Sequence, residues 1–178
     1  NWDLVSFIPL LGIEIAVTSL TGRYMGAEKP ELAHRSAISA VKTGIFYSVV
    51  VLALFVFIPE TLVRVFHPET PSSVFDEAVP IAVAMIRIAS LYVLVEAVLV
   101  ALVGALRGAG DTYFTMIASV CMHWAFLPIL YVALDVLKLS VPFSWFLLVL
   151  FFLVFCTVII QRFRSGKWKK LRVIQDKL

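Results

Sequence analysis

Apolar residues fall in five long blocks along this chain, and short polar connections separate the blocks. The blocks cover residues 4–24, 37–58, 77–104, 113–134 and 141–161. Each is long enough for an α-helix that crosses a bilayer, which needs about 20 residues. The first three connections contain the glycine or proline residues that are typical of turns. The pattern predicts an all-α polytopic membrane helix bundle over residues 1–161, followed by a basic tail over residues 162–178.

Composition supports this prediction. Of the 178 residues, 61% are apolar and 15% are charged, and the mean hydropathy is +0.98. Soluble domains average about 45–50% apolar and about 25% charged residues, so an ordinary soluble domain is excluded. The sequence has no His-Glu-x-x-His element, and no Gly-Lys-Ser/Thr element follows its glycine-rich turn. We therefore expect no enzyme, no catalytic residue, no bound metal and no cofactor.

The basic residues are distributed by connection. Twelve of the fifteen lysines and arginines lie in or beside the first connection, in the third connection, or in the tail. Cytoplasmic loops carry this excess of positive charge, so residue 1 is predicted outside and the tail inside. Because the basic residues do not form one patch, no nucleic-acid partner is expected. The tail is interpreted as a stop-transfer flank that can also contact anionic membrane lipid.

Four ionisable side chains stand out among those inside the predicted spans: Glu14, Arg87, Glu96 and His123. Such a side chain at the bilayer centre costs at least ~2.5–3.5 kcal/mol, so each one needs a compensating reason. Glu96 lies eight residues before Gly104, which is about 12 Å along the helix axis. A carboxyl group there can hold a proton and release it when water or a cation enters. Glu96 is the candidate cation-coupling residue; the alternative is a structural carboxyl group bonded to a neighbouring helix.

The other three side chains are candidates for the transport pathway. Glu14 lies in the middle of the first span among small residues, so it either lines the pathway or makes a fixed interhelical hydrogen bond. Arg87 and Glu96 lie on opposite faces of one helix, so Arg87 either pairs with another helix or extends to the membrane surface. His123 could relay protons or could be a packing residue.

Two stretches are more specific than the apolar pattern. Residues 9–33 contain Gly22-x-x-x-Gly26-Ala, and residues 96–112 end in Leu-Arg-Gly-Ala-Gly-Asp-Thr, with Arg107, Gly108, Gly110 and Asp111 in the motif. Together these stretches resemble the multidrug and toxic compound extrusion (MATE) family of secondary transporters. The paired glycines also permit close helix approach, and Asp111 or Thr112 can cap the next helix.

The resemblance implies that the five spans correspond to family helices eight to twelve of twelve. Absence of an internal repeat, of an initial methionine and of a targeting signal agrees with a piece of a longer polypeptide. Glu96 falls where family members carry an acidic residue, often aspartate, that is implicated in binding the coupling cation. The resemblance assigns no role to Glu14, which could mark a distinct subgroup or a second site.

The implied function is that of an H⁺- or Na⁺-coupled antiporter in a bacterial inner membrane, exporting small organic, often cationic, compounds. Its implied partners are membrane lipid, the substrate and the N-terminal lobe of the same polypeptide. Two alternatives stay open. A lipid-linked saccharide flippase would need a lumen rich in arginine or lysine, whereas a non-transporting assembly subunit would need no buried carboxylates.

Overall fold

The computed structural model describes residues 2–67 and 73–171, of which residues 73, 74, 141 and 142 are described by their backbone only. This part of the chain is helical, with no strand among the described residues. The helices are α1 Trp2–Gly26, α2 Pro30–Phe57, α3 Pro59–Arg64, α4 Ser73–Gly108, α5 Thr112–Tyr131 and α6 Val141–Arg164. A π-helical turn, Val132–Val136, follows α5, and a 3₁₀ turn, Lys167–Lys170, follows α6.

Five of these helices, all except α3, are long and apolar enough to cross a membrane. The predicted all-α bundle of five spans is therefore confirmed. Helices α1, α2 and α4 begin before their apolar blocks because backbone hydrogen bonding continues until a proline or a turn interrupts it, whereas α5 ends at Tyr131, where the π-helical turn follows. Pro30 and Pro59 occupy first-turn positions of α2 and α3, where the missing N–H of proline costs nothing. The sequence pattern did not predict α3 or the π-helical turn.

Helix α4 lies at the centre of the bundle. It packs against α1, α2 and α6, whereas α5 contacts mainly α6. In the most apolar 18-residue window of each helix, 67% of the α4 residues are buried but only 6% of the α5 residues. Helices α1, α4 and α6 run in one direction and α2 and α5 in the other, as short connections require.

Because neighbouring helices alternate in direction, the connections between them fall at two opposite ends of the bundle, which we call the basic end and the Asp3 end. The basic end holds the Gly26–Pro30 and Gly108–Thr112 turns and the chain after α6. The Asp3 end holds the start of α1, the connection around α3 and the start of α6. Basic side chains collect at the first of these ends: Arg23, Lys29, Arg35, Arg107, Arg162, Arg164, Lys167, Lys169 and Lys170.

Part of the predicted tail belongs to the folded bundle. Helix α6 extends to Arg164, and the side chain of Trp168 is 0% exposed. Its ring stacks on Phe163, and its Nε1 donates a hydrogen bond to the Phe163 carbonyl oxygen at 2.9 Å. The predicted tail thus packs against the helices through Phe163 and Trp168, while residues 172–178 of the predicted tail lie outside the described part of the chain.

Candidate functional site

Two glycines of α4 bring it close to α1. A Cβ atom placed on Gly104 would lie 2.8 Å from the Glu14 carbonyl oxygen, and one on Gly108 would overlap the Thr18 backbone. The Thr18 hydroxyl donates a hydrogen bond to the Gly104 carbonyl oxygen at 3.0 Å. Small residues allow this backbone contact, which fixes the register of the two parallel helices. Gly22 lies near the Gly108 carbonyl oxygen, whereas Gly26 has open space around it.

Glu14 of α1 forms an ion pair with Arg107 of α4. The distance from Glu14 Oε1 to Arg107 Nη1 is 2.6 Å, and the two side chains are 16% and 46% exposed. Of the two interpretations of Glu14, the geometry therefore favours the fixed interhelical contact. Arg107 lies in the last turn of α4, where a cation also interacts favourably with the helix dipole.

Glu96 lies half-buried in α4 and makes no hydrogen bond or ion pair with another described residue. One helical turn earlier, the hydroxyl group of the buried Tyr92 donates a hydrogen bond to Asp3 Oδ1 in the first turn of α1. Glu96 therefore lies one helical turn after the residue that Asp3 contacts. We call these three residues the Asp3–Tyr92–Glu96 cluster.

Sequence reasoning missed Asp3 as a neighbour of Glu96. It lies one residue before the first apolar block and is exposed, so by position alone it is an ordinary carboxylate at the membrane surface. Its proximity to Glu96 depends on the register of α1 against α4. Neighbouring carboxylates repel when both are charged, and a bound proton or monovalent cation relieves that repulsion. Among the described residues, no group of three or more His, Cys, Asp or Glu side chains could hold a metal ion.

The other two candidates for the pathway lie apart from this cluster. Arg87 is exposed, and its guanidinium group makes no ion pair with a described residue. His123 lies on α5, with its Nδ1 atom 2.7 Å from the Ser119 carbonyl oxygen. Its ring packs edge-on against Phe151 and Phe155 of α6. The described contacts of His123 are those of a packing residue, and none of them joins it to Glu96.

The Asp111 side chain does not cap α5. Asp111 occupies the N-cap position, but its carboxylate makes no capping hydrogen bond. Instead it accepts bonds from Arg162 Nε at 2.7 Å and Arg162 Nη2 at 3.0 Å. A charged bidentate partner is a stronger donor than a backbone amide, which explains why the Asp111 side chain does not make the predicted cap. Thr112, the other predicted cap, is the first residue of α5 rather than its N-cap. Gly110 adopts φ 86°, in the left-handed region, and so permits the turn that directs Asp111 toward α6.

Comparison with known proteins agrees with this architecture. The MatE family model matches residues 2–132, which include α1 to α5. A probable multidrug resistance protein NorM of Thermotoga maritima is 29% identical over 180 residues, covering 98% of this chain and 36% of the relative. No solved structure matches the chain.

The chain belongs to the MatE family, and the resemblance predicted from the two motifs is confirmed. With five helices able to span a bilayer, it is a multi-pass membrane protein. It spans about a third of the length of the relative that it matches.

Proposed function

We propose that this chain is part of a secondary active transporter that exports organic, often cationic, compounds in exchange for inward H⁺ or Na⁺. Membership of the MatE family supports a transport function. The similarity to a probable multidrug resistance protein supports drugs and other toxic compounds as substrates. The proposed activity is transport and not the catalysis of a reaction. The proposed partners are membrane lipid, a small organic substrate and the rest of the transporter.

The position of Glu96 is the observation that carries this proposal. A charged carboxylate at membrane depth without a partner costs at least ~2.5–3.5 kcal/mol. Tyr92 cannot remove that cost, because its hydroxyl group has one proton to donate and donates it to Asp3. A bound proton or Na⁺ ion would neutralise Glu96 and remove the cost. Glu96 therefore has the properties of a group that alternately binds and releases a cation.

The cluster also supports a direction of ion entry. Asp3 is exposed at one end of the bundle, and Glu96 lies deeper in the same cluster. Basic residues collect at the opposite end, which favours a cytoplasmic location for that end. In this orientation Asp3 faces outside, so an entering cation meets Asp3 first and Glu96 second.

Gradient-driven export by the complete transporter tests the role of Glu96. Glu96→Gln removes the charge at nearly constant volume, and Glu77→Gln is the matched control, an exposed carboxylate on the same helix. In proteoliposomes with an imposed H⁺ or Na⁺ gradient, we expect the first variant to lose export of an organic cation by at least about tenfold. The control should keep wild-type export. Wild-type export by the Glu96→Gln protein at equal reconstitution would reject the proposal.

The same assay separates the two alternatives. A lipid-linked saccharide flippase needs several basic groups facing a polyanionic head group, yet Arg87 is exposed and lies on the face of α4 opposite Glu96. A non-transporting assembly subunit would give no gradient-driven flux. No observation on the described residues favours either alternative over cation-coupled export.

A further inference from the structure

A cavity at the basic end of the bundle combines cationic and apolar lining. It lies between α2, α4, α6 and the 3₁₀ turn after α6, and its volume is about 430 Å³. Two basic side chains line it, those of Arg164 and Lys169. Three helices contribute its aliphatic lining: Ile38, Val41, Val98, Leu102 and Ile160. We call this space the basic-end cavity.

The cationic and apolar parts of the basic-end cavity lie at different depths. Arg164 is the last residue of α6, and Lys169 belongs to the turn beyond it, so both lie at the end of the bundle. Val98 precedes Gly108, the last residue of α4, by about 15 Å along the helix axis. A phospholipid has the same order of groups, with a charged head group at the membrane surface and acyl chains below it.

The charge of the lining is positive. Arg164 is exposed and makes no ion pair with a described residue. Lys169 Nζ lies 2.9 Å from Glu31 Oε1. An ammonium group has three N–H donors, so this one contact leaves donors for a further acceptor. None of the described acidic side chains lines the cavity, so an entering anion meets two cations and no carboxylate of the lining.

The fold positions Lys169 before a ligand arrives. Gly166 adopts φ 66°, in the left-handed region, which lets the chain turn at the end of α6. The Trp168 ring is buried and stacks on Phe163 and His34, both of which line the cavity. Because this packing already holds the turn, little conformational entropy is lost when an anion binds beside it.

We propose that the basic-end cavity binds a phospholipid whose head group carries a net negative charge. Arg164 and Lys169 are the groups that bind its phosphate, since a guanidinium group and an ammonium group both donate charged hydrogen bonds to phosphate oxygens. The aliphatic lining contacts the upper part of an acyl chain. Basic pockets between spanning helices on the cytoplasmic side are suited to such head groups. The proposal rests on the proposed function for its orientation, in which the basic end faces the cytoplasm, and it names the lipid partner more closely.

The affinity of the complete transporter for its first bound lipid tests the site. The protein is purified in a neutral detergent and titrated with dioleoyl-phosphatidylglycerol, and native mass spectrometry resolves the first lipid bound. Arg164→Gln and Lys169→Gln should each weaken this affinity about fivefold, as expected for one basic residue near an anionic lipid. Lys170→Gln is the matched control, because it removes an exposed charge of the same turn that does not line the cavity. It should bind the lipid as the wild type does.

Glu31 provides a test in the opposite direction. If Lys169 binds phosphate, Glu31 competes for the same ammonium group. Glu31→Gln should therefore strengthen lipid binding about twofold or more. If Lys169 served only to hold the turn against α2, Glu31→Gln would leave the affinity unchanged or weaken it. That result would overturn Lys169 as a phosphate-binding group.

Two further ligands identify the source of the phosphate. Dioleoyl-phosphatidylcholine has the same chains with a neutral head group and should bind at least about fivefold more weakly. Soluble glycerol 3-phosphate lacks the chains and should not displace the lipid at an equal concentration. Equal affinity for the two lipids would overturn the site in favour of any lipid, and displacement by glycerol 3-phosphate would overturn it in favour of a soluble anion.

The variants also exclude attraction by the basic end as a whole. Equal losses of affinity in Lys170→Gln and Lys169→Gln would show diffuse attraction and would overturn the site. Unchanged affinity in both Arg164→Gln and Lys169→Gln would overturn it as well.

The failure of this site and the failure of the proposed function give different results. Glu96→Gln should lose gradient-driven export while keeping lipid affinity within about twofold of wild type. If Glu96→Gln exports normally but Arg164→Gln and Lys169→Gln weaken lipid binding, the coupling role fails and the lipid site stands. If Glu96→Gln loses export while neither cationic variant changes the affinity, the lipid site fails and the coupling role stands.

Discussion

Glu14 of α1 reaches Arg107 of α4 at 2.6 Å, beside the point where Gly104 brings the two helix backbones together. The Glu14 side chain is only 16% exposed, so its charge depends on Arg107 for compensation. Removing one member of a partly buried pair costs more than removing both, because the remaining charge then lacks a partner. The pair therefore contributes to the register of α1 against α4, and through that register to the approach of Asp3 to Tyr92.

A double-mutant cycle measures this contribution. Glu14→Gln and Arg107→Gln should each lower the thermal stability of the purified transporter, and the double variant should lose less than the sum. The expected coupling energy is about 0.5–3 kcal/mol. Glu28→Gln, in the exposed turn after α1, is the control and should leave stability unchanged. Additive losses would show that the pair is not coupled, and lost export at wild-type stability would place Glu14 in the pathway.

Gly104→Ala should destabilise the bundle. The new Cβ would lie 2.8 Å from both the Glu14 carbonyl oxygen and Val17 Cγ1, so α1 has to move away. Overpacking of this kind costs about 1–3 kcal/mol. Gly12→Ala on α1 is the matched control, because its Cβ meets nothing within 4 Å. The measurement is the fraction of monodisperse protein after heating in detergent, and equal losses in the two variants would contradict the close approach.

The number and order of the spans could be predicted from apolar blocks because each helix that crosses the bilayer needs about 20 mainly apolar residues. Which helix is central could not be predicted in this way. Helices α4 and α5 both qualify as spans, yet two thirds of the α4 window is buried and only 6% of the α5 window. Lipid tails and a protein interior are equally apolar, so hydropathy does not reveal which face packs against protein.

The site shows the same limit. Glu96 could be selected from the sequence as a candidate because a carboxylate in a span has a large desolvation cost. Asp3 was not, since its approach to Tyr92 depends on helix register rather than on local sequence. Asp111 shows a third reason. Its carboxylate bonds to Arg162, which lies 51 positions away along the chain, instead of capping α5.

Arg162→Lys should not be a conservative change. The guanidinium group of Arg162 makes two bonds to Asp111, whose side chain is 6% exposed, and lies 4.7 Å from the centroid of the Phe114 ring. Lysine cannot reproduce this planar bidentate contact. We expect a loss of about 1–3 kcal/mol in stability. Arg164→Lys, two residues later and without an ion pair in the described chain, should change little. Equal stability of the two variants would refute a special role for the Asp111 contact.

Trp168→Ala should release the segment after α6 while leaving the bundle folded. A buried tryptophan replaced by alanine costs about 3–5 kcal/mol, but here the loss falls on a terminal segment and appears as local opening. Trypsin should therefore cut after Lys167 and Lys169 at least about tenfold faster than in the wild type. Trp124→Ala, which removes a 70% exposed ring of α5, should not change the rate.

A charge variant distinguishes apolar docking of this segment from electrostatic attraction. Lys169 Nζ lies 2.9 Å from Glu31 Oε1, but the Glu31 side chain is 76% exposed. Exposed pairs of this kind contribute little to stability, so Glu31→Gln should leave the tryptic rate within about fivefold of wild type. If Glu31→Gln accelerates cleavage as much as Trp168→Ala does, the segment is held by charge. If only the tryptophan variant accelerates it, packing of Trp168 against Phe163 and His34 holds the segment in place.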